Sequence, residues 1–284
     1  MSPREPDIGR VAEAVVAEAR PGVVVAVFSR AVYLRFDCLS GANVVALTTL
    51  DVPSGPLHIR VPVLPTLRVG DRVMPRDRGL QTALGPTVEI RESVWVPGPI
   101  EDLARRRVAG AVLLREVLAY GSPPDLAGDS CDVHAVVTAL GLRSGLAHLA
   151  GRGAGLTPAG DDCAAGILLV TALLDAAGMT TWTPQELAAL AAGHDSHDIA
   201  VAFLKAAAAG ESIEPLHLLL AAIARGDRSA ALYQRRMLAG IGHTSGLDLA
   251  YGALVGLELS DTIAAERTAD VARDRVISVS QNAT

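Results

Sequence analysis

The sequence predicts an α+β protein, in which a β-rich N-terminal domain, a small barrel or sandwich, is followed by an α-helical C-terminal domain. Its 284 residues are enough for about two domains at roughly 150 residues each. Residues 22–96 are rich in Val and interrupted by Pro and Gly, which is typical of short strands. From about Glu101 onward, apolar residues recur at helical spacing. We therefore expect a β-rich domain over 1–100, an α-helical domain over 101–260 and a polar tail over 261–284.

In the N-terminal half, the apolar spacing of Ile8–Ala19 predicts one helix before the strands. Turns are expected at Pro53–Pro56 and Leu84–Pro86, where Pro and Gly cluster. Asp71–Leu80 is charged and irregular, so we expect a loop there. Short strands at close spacing are typical of small barrels and sandwiches. The predicted strands are Val23–Phe28, Ala31–Phe36, Val44–Leu50, Leu57–Val63 and Thr87–Val96.

In the C-terminal half, the clearest helix start lies at Thr183. Thr183 is an N-cap residue, Pro184 suits the first helical position, and Glu186 at the third completes a capping box. The other helices are predicted from apolar periodicity. They are Asp102–Ala119, Asp132–Leu149, Pro158–Ala177, Asp195–Ala209, Glu214–Ala224, Asp227–Ala239 and Ser245–Leu259.

Composition and charge exclude several classes of partner. Aromatic residues make up only 3% of the chain, too few for a base-stacking surface, and the net charge of −6 gives no attraction for phosphate backbones or anionic lipid. The longest apolar run, Ala164–Leu174, is too short to cross a bilayer. We therefore expect a small-molecule ligand, with neither nucleic acid nor membrane as a partner. Lys205 is the single lysine, so the chain has no Gly-x-x-x-x-Gly-Lys phosphate loop.

Cysteine usage and the first residues predict a cytoplasmic protein. The three cysteines, Cys38, Cys131 and Cys163, are far apart and odd in number, which suits a reducing compartment. Met1–Arg20 has no continuous apolar core of the kind that signal peptides carry.

The first segment with chemical potential is the glycine-rich loop 151–162, with the sequence Gly-Arg-Gly-Ala-Gly-Leu-Thr-Pro-Ala-Gly-Asp-Asp. Thr157 is predicted as the N-cap of the following helix and Pro158 as its first residue. Glycines and a helix N-terminus together favour an anion. Asp161 and Asp162 would repel that anion, unless they complement the helix dipole, orient a substrate N–H group, or share a Mg²⁺ ion with it. A tight turn with two capping acids is the purely structural alternative.

The second segment, residues 240–248, also combines glycines, hydroxyls and an acid at a helix start. Ser245 is predicted as the N-cap and Asp248 as the third helical residue. His243 and Thr244 precede the helix, and His243 suits general acid or base work because its unperturbed pKa is about 6.5. A plain capped helix is again the structural alternative. If the two helices pack side by side, both segments face one pocket.

A third polar segment, residues 194–198, leaves two interpretations open. His194, His197 and Asp198 have spacing that brings them to one helix face, as in a metal site. The same residues also precede a predicted helix, where Ser196 and the aspartates would act as caps.

The two glycine segments together resemble the AllH-type family. The loop of that family reads roughly Gly-x-Gly-Pro-Gly-Leu-Thr-Pro-Ser-Gly-Asp-Asp, and the second segment here reads Gly-His-Thr-Ser-Gly-Leu-Asp-Leu over 242–249. The chain departs from the family pattern at Ala154, where Pro is usual, and at Ala159, where Ser is usual. Val27–Val32 is similar to the N-terminal β segment of the family, and Ser54–Pro56 to its Gly-Pro turn.

The resemblance implies a subunit of oxamate carbamoyltransferase, a multi-subunit enzyme of allantoin and purine catabolism. That enzyme interconverts oxalurate plus phosphate with oxamate plus carbamoyl phosphate. On this basis we predict Asp161, Asp162 and His243 as catalytic residues, with Mg²⁺ as an optional cofactor held by the two aspartates. The predicted substrate-binding residues are Gly153, Gly155, Leu156, Thr157, Gly160, Thr244, Ser245, Gly246 and Asp248.

Two other functions stay open at this point. The first alternative is a non-catalytic subunit that binds a metabolite or organises a complex. The second is a Mg²⁺-dependent nucleotide or phosphate enzyme. Acidic pairs beside glycine loops suit metal-bound phosphate, but the absence of a phosphate-loop lysine weakens the second possibility.

Overall fold

The fold, taken from a computed structural model, has a curled sheet in the N-terminal region and a bundle of helices after it. The structure describes residues 5–18, 20–39, 41–76, 79–82, 88–90, 93–119, 124, 126, 132–179 and 182–267. This confirms the α+β class. The β-rich part is one sheet that forms a curled half-barrel, so of the two predicted β architectures it is closer to the barrel. Where one domain ends and the next begins stays a prediction.

Within the described residues the sheet has nine strands in the order β8-β7-β6-β2-β3-β4-β5-β1-β9. The β4–β5 and β1–β9 pairs are parallel, and the remaining pairs are antiparallel. Side chains alternate between its two faces, so β3 buries Val32, Leu34 and Phe36 on one face. The strands are β1 Ile8–Gly9, β2 Gly22–Val27, β3 Ala31–Cys38, β4 Gly41–Thr49, β5 His58–Val61, β6 Arg72–Arg76, β7 Gly79–Thr82, β8 Val88–Glu89 and β9 Val94–Trp95.

Two of the N-terminal predictions need correction. The loop expected at Asp71–Leu80 is instead the β6–β7 pair, in which Val73 and Pro75 are buried and the charged Arg72 and Arg76 are exposed. The charges on the outer face hid the alternation that marks a strand.

The second correction concerns strand and helix limits. The helix expected from Ile8 begins at Arg10, because Ile8 and Gly9 are taken into the sheet by β5 and β9. The strand expected at Thr87–Val96 is two short strands, β8 and β9. The turn at Leu84–Pro86 and Cys131 lie outside the described residues.

The helices confirm the predictions for the C-terminal half, including the capping box of Thr183 and Glu186. Residues 260–267 are helical as well, and Ile263 lies in the main core, where its carbonyl accepts a hydrogen bond from Trp182 Nε1 at 3.3 Å. The first residues of the predicted tail are therefore packed, and 268–284 lie outside the described residues. The helices are α1 Arg10–Ala17, α2 Leu103–Leu118, α3 Val133–Leu149, α4 Ala159–Ala176, α5 Pro184–Ala192, α6 Asp198–Ala208, α7 Glu214–Arg225, α8 Arg228–Ala239 and α9 Ser245–Glu258. Among the described residues, no helix combines the length and apolar character needed to cross a membrane.

Helices α4 and α9 pack against each other with their backbones in contact. A Cβ atom on Gly166 of α4 would lie 2.1 Å from the Leu249 carbonyl oxygen, and one on Gly252 of α9 would lie 2.0 Å from the Cys163 carbonyl oxygen. Contacts farther along α4 fall farther along α9, so the two helices run parallel. Their N-termini, which follow the two glycine segments, therefore lie at the same end.

The sheet and the helices are joined through α6. Ile199 and Ala202 of α6 form an apolar cluster with Ala26, Val44 and Leu57 of the N-terminal region. The amide of Glu214 donates to the Ser54 carbonyl at 2.8 Å, and Arg10 forms an ion pair with the buried Glu211. These contacts hold the sheet beside the N-terminal ends of α4 and α9.

Gly252→Ala should destabilise the protein, because the added Cβ meets the Cys163 carbonyl and can be accommodated only if α4 and α9 separate. Overpacking of this kind costs about 2–3 kcal/mol of the free energy of unfolding. The matched control is Gly110→Ala inside α2, where the atom nearest to an added Cβ is 3.7 Å away. There the change should stabilise the protein by about 0.5–1 kcal/mol. Chemical denaturation measures both, and equal stabilities would contradict the backbone contact.

Candidate functional site

A cavity of about 810 Å³ lies between the sheet and the N-terminal ends of α4 and α9. Both glycine segments line it. Most of the predicted site residues are at its surface, namely Gly153, Gly155, Leu156, Thr157, Asp162, His243, Thr244, Ser245 and Gly246. Asp161, Gly160 and Asp248 are not among the residues that line it.

Glycines set the course of the first loop. Gly151, Gly153 and Gly155 have φ values of 67°, 116° and 95°, a region that other residues rarely adopt. Gly153 is the most constrained of them, because a Cβ there would lie 2.6 Å from the Ala159 nitrogen. The turn thereby presents the exposed residues 154–156 at the cavity.

Both predicted N-caps are wrong by one residue. Helix α4 begins at Ala159 after Pro158, and α9 begins at Ser245 after Thr244, in each case with no hydrogen bond from a capping side chain. The reason is the same in both helices. A backbone carbonyl of the preceding loop accepts the hydrogen bond from the helix amide that would otherwise bond to a capping side chain. Arg152 accepts from Gly160 at 2.8 Å, and Ile241 accepts from Gly246 at 3.2 Å.

The hydroxyls released from capping meet each other. Thr157 Oγ1 and Ser245 Oγ lie 3.0 Å apart, although 88 residues separate them in the sequence. Both also lie within hydrogen-bond reach of the Asp162 carboxyl. The three side chains form a polar cluster, called here the Thr157–Asp162–Ser245 cluster, at one end of the cavity.

Asp162 is the unusual member of this cluster. Burial raises the pKa of its carboxyl well above the usual range, and the nearby charges of Asp248 and Asp161 raise it further, while hydrogen bonds from Ser245 and Thr157 act in the opposite direction. Its Oδ2 atom is shielded from solvent and has no hydrogen-bond partner among the described residues. The carboxyl therefore keeps its proton to higher pH than an ordinary aspartate and is able to donate a hydrogen bond.

Asp161 occupies a different environment from its neighbour. It is buried, and Oδ1 accepts hydrogen bonds from the Gly151 amide at 2.8 Å and from His194 Nε2 at 2.8 Å. Its other oxygen accepts from the Ser196 hydroxyl. Asp161 thus ties the glycine loop to the segment before α6, and it does so behind the cavity wall.

The predicted metal sites have no closed ligand set. Among the described residues, no group of three or more His, Cys, Asp and Glu side chains is placed to hold a metal ion. His194 is used by Asp161, and Asp198 pairs with Arg35 at 3.4 Å. A Mg²⁺ ion shared by Asp161 and Asp162 stays a prediction, and it would have to displace the three donors on Asp161.

The sheet contributes side chains that the sequence did not single out as site residues. Arg30, in the turn between β2 and β3, lines the cavity and donates from Nη2 to the Gly240 carbonyl at 3.1 Å, across 210 residues of sequence. Tyr33 also lines it, and burial, with a smaller contribution from the Asp162 charge, raises the pKa of its phenol to about 12. The signal available in the sequence was the resemblance of Val27–Val32 to the family, because no spacing rule links Arg30 to a turn so far along the chain.

Two more residues missed from the sequence, His58 and Phe203, complete the wall. Their rings pack edge to face with centroids 6.3 Å apart. His58 Nδ1 lies 2.9 Å from the Pro53 carbonyl oxygen, and burial lowers the pKa of the imidazole. The neutral ring is thus part of the wall.

Comparison with known proteins gives one match. The model of the family described as oxamate carbamoyltransferase subunit AllH matches residues 149–257. No curated protein and no solved structure matches the chain. The matched residues run from the end of α3 to the last turn of α9, whereas the resemblances at Val27–Val32 and Ser54–Pro56 lie outside them. Residues 149–257, which hold both glycine segments and the two helices that bring them together, are therefore the part of the chain that is similar to the AllH family.

Proposed function

We propose that this chain is a carbamoyltransferase-type subunit, which binds a small phosphate- or carboxylate-bearing metabolite in the cavity between the sheet and the helices. One observation carries the proposal: two distant glycine segments meet there through Thr157 and Ser245. The family match supplies the reaction class, since its description names a subunit of oxamate carbamoyltransferase.

In this proposal the glycine loop and Arg30 bind the anion. The amides of residues 154–157 are close to the cavity, and parallel helices α4 and α9 both direct the positive ends of their dipoles toward it. Arg30 adds a guanidinium from the sheet side, one nitrogen of which also pairs with Asp51 at 3.4 Å. Phosphate or carboxylate oxygens bind between these groups.

Asp162 and His243 carry the proton chemistry in this proposal. The oxamate nitrogen attacks the carbonyl carbon of carbamoyl phosphate, the bond from that carbon to the phosphate oxygen breaks, and phosphate leaves. Protonated Asp162 donates a hydrogen bond to the carbamoyl oxygen as negative charge develops on it. His243, exposed at the cavity surface, accepts the proton that the attacking nitrogen loses.

The remaining predicted residues, which do not line the cavity, act on the residues that do. Asp161 is proposed as a positioning residue, because its three hydrogen bonds hold the loop against the segment before α6. Gly160 is needed for close packing, since a Cβ there would lie 2.2 Å from the Leu149 carbonyl oxygen. Asp248 acts on Asp162 through its charge. In the variant of the proposal that includes Mg²⁺, Asp161 and Asp162 would hold the ion, which would supply positive charge for a bound phosphate.

The proposal includes partners and a place in the cell. The family description names a subunit, so we infer that other chains complete the enzyme. A cytoplasmic location follows from the scattered cysteines, of which Cys38 and Cys163 are buried and free. The alternative from the same description is a non-catalytic subunit that binds a metabolite or organises the complex.

Arg30→Gln should weaken binding of carbamoyl phosphate about tenfold or more, because a charged hydrogen bond is worth about 1.5–3 kcal/mol. Calorimetric titration of the purified chain, with and without Mg²⁺, measures this. The control is Arg20→Gln, an exposed arginine away from the cavity, which should bind as the wild type does. Saturable binding only with Mg²⁺ would make Asp162 a metal ligand. Absence of binding under both conditions would favour the non-catalytic subunit.

Asp162→Asn should stabilise the protein at neutral pH and leave its stability unchanged at low pH. The pKa of this carboxyl is raised in the folded protein. As pH rises above the unfolded value of 3.8, the carboxyl loses its proton in the unfolded chain but keeps it in the folded one, so the free energy of unfolding falls until the raised pKa is reached. Asn resembles the protonated acid and removes that loss. Denaturation across this pH range measures it, with the exposed Asp195→Asn as a control that should follow the wild type. A stability difference independent of pH would contradict a raised pKa.

A further inference from the structure

Beside the Thr157–Asp162–Ser245 cluster, part of the cavity wall is apolar and aromatic. Phe28 and Tyr33 pack edge to face with ring centroids 6.0 Å apart, and Phe203 makes the second aromatic pair with His58. Ile199 and Leu249 add further apolar lining to the cavity. Phe28 is 52% exposed, so its ring offers the cavity apolar surface that the folded chain does not bury.

The substrates of oxamate carbamoyl transfer make no use of such a wall. Carbamoyl phosphate, oxamate and oxalurate contain no carbon–hydrogen bond, so they have almost no apolar surface to bury. The cavity is also large for them, since about 810 Å³ lies well inside the range of about 300–1,000 Å³ that holds drug-sized ligands. An exposed apolar surface inside a concave site is typical of ligand recognition.

We propose that the cavity binds a ligand with two parts, a small amide or carboxylate head at the Thr157–Asp162–Ser245 cluster and an alkyl or aryl body against Phe28, Tyr33 and Phe203. The substrate class is then N-substituted amides of short carboxylic acids, of which oxamate is only the head. The inference rests on the proposed function for the identity of the head, and on the cavity wall alone for the body.

The polar end is built to receive such a head. Oδ2 of Asp162 is shielded and unpartnered, and the raised pKa of its carboxyl keeps a proton available for a carbonyl oxygen. The guanidinium of Arg30 lies on the same cavity and supplies a charge for a carboxylate. A ligand that hydrogen-bonds to Asp162 and Arg30 and carries an apolar body would contact both the polar and the aromatic parts of the wall.

The test is a calorimetric titration of the full chain with oxamate, N-ethyloxamate and N-butyloxamate. A buried methylene is worth about fourfold in affinity, so the butyl compound, with two more methylenes, should bind about fifteenfold more tightly than the ethyl compound. Phe28→Ala should lose most of that gain, and because the ring is half-exposed the variant should fold, which its thermal midpoint checks. The control is Val63→Ala, a side chain that is 79% exposed and does not line the cavity, and it should keep the gain.

A second series, butanoate and hexanoate, separates the inference from the proposed function. Binding of oxamate without any gain from the alkyl groups would overturn the apolar body and leave carbamoyl transfer standing. Tighter binding of hexanoate than of butanoate, with no binding of the oxamates, would overturn the proposed head and support the body. A failure of both series to bind, or an equal gain in Phe28→Ala and wild type, would overturn the inference.

Discussion

The candidate site depends on the backbone contact between α4 and α9. Gly166 and Gly252 let two parallel helices approach until a carbonyl of one fills the space where a side chain of the other would stand. Only at this separation do the hydroxyls of Thr157 and Ser245 come within 3.0 Å. A parallel pair also places two positive dipole ends side by side, which costs electrostatic energy unless negative groups are near. Asp161 in the first turn of α4 and Asp248 in the first turn of α9 supply those groups.

Three charged carboxylates beside the cavity would repel an anion, and the fold gives the three acids different surroundings. Asp161 accepts hydrogen bonds from Gly151, His194 and Ser196, and it does not line the cavity. Asp162 faces the cavity and is pushed toward its neutral form by burial and by the charge of the other two. The repulsion between the acids therefore helps Asp162 to keep its proton, and the protonated carboxyl can donate a hydrogen bond.

Local signals in the sequence predicted the helices well, because caps and periodicity act over a few residues, as at Thr183 and Glu186. The β6–β7 pair was missed since its outward charges masked the alternation of Val73 and Pro75. The caps at Thr157 and Ser245 were misplaced because loop carbonyls, which no sequence rule reveals, took over that role. Arg30 and Tyr33 were beyond prediction as site residues, since their places depend on how the sheet rests on α6. The sequence could suggest that the glycine segments share a pocket, but it could not predict which residues of the sheet line the rest of that pocket.

The cavity wall is built from two parts of the chain. The matched residues 149–257 supply the glycine loop, Asp162 and His243, which are the groups proposed to bind and transfer a small polar head. The cation Arg30 and the rings of Phe28 and Tyr33 come from the sheet, outside the matched residues. Each proposed role draws on both parts of the chain, because Phe203 of the aromatic wall lies within the matched residues and Arg30 lies outside them. The β2–β3 turn contributes Phe28 and Arg30 to the cavity and takes no part in the packing of α4 on α9, so we expect a substitution there to change the ligand that fits while the helix pair stays in place.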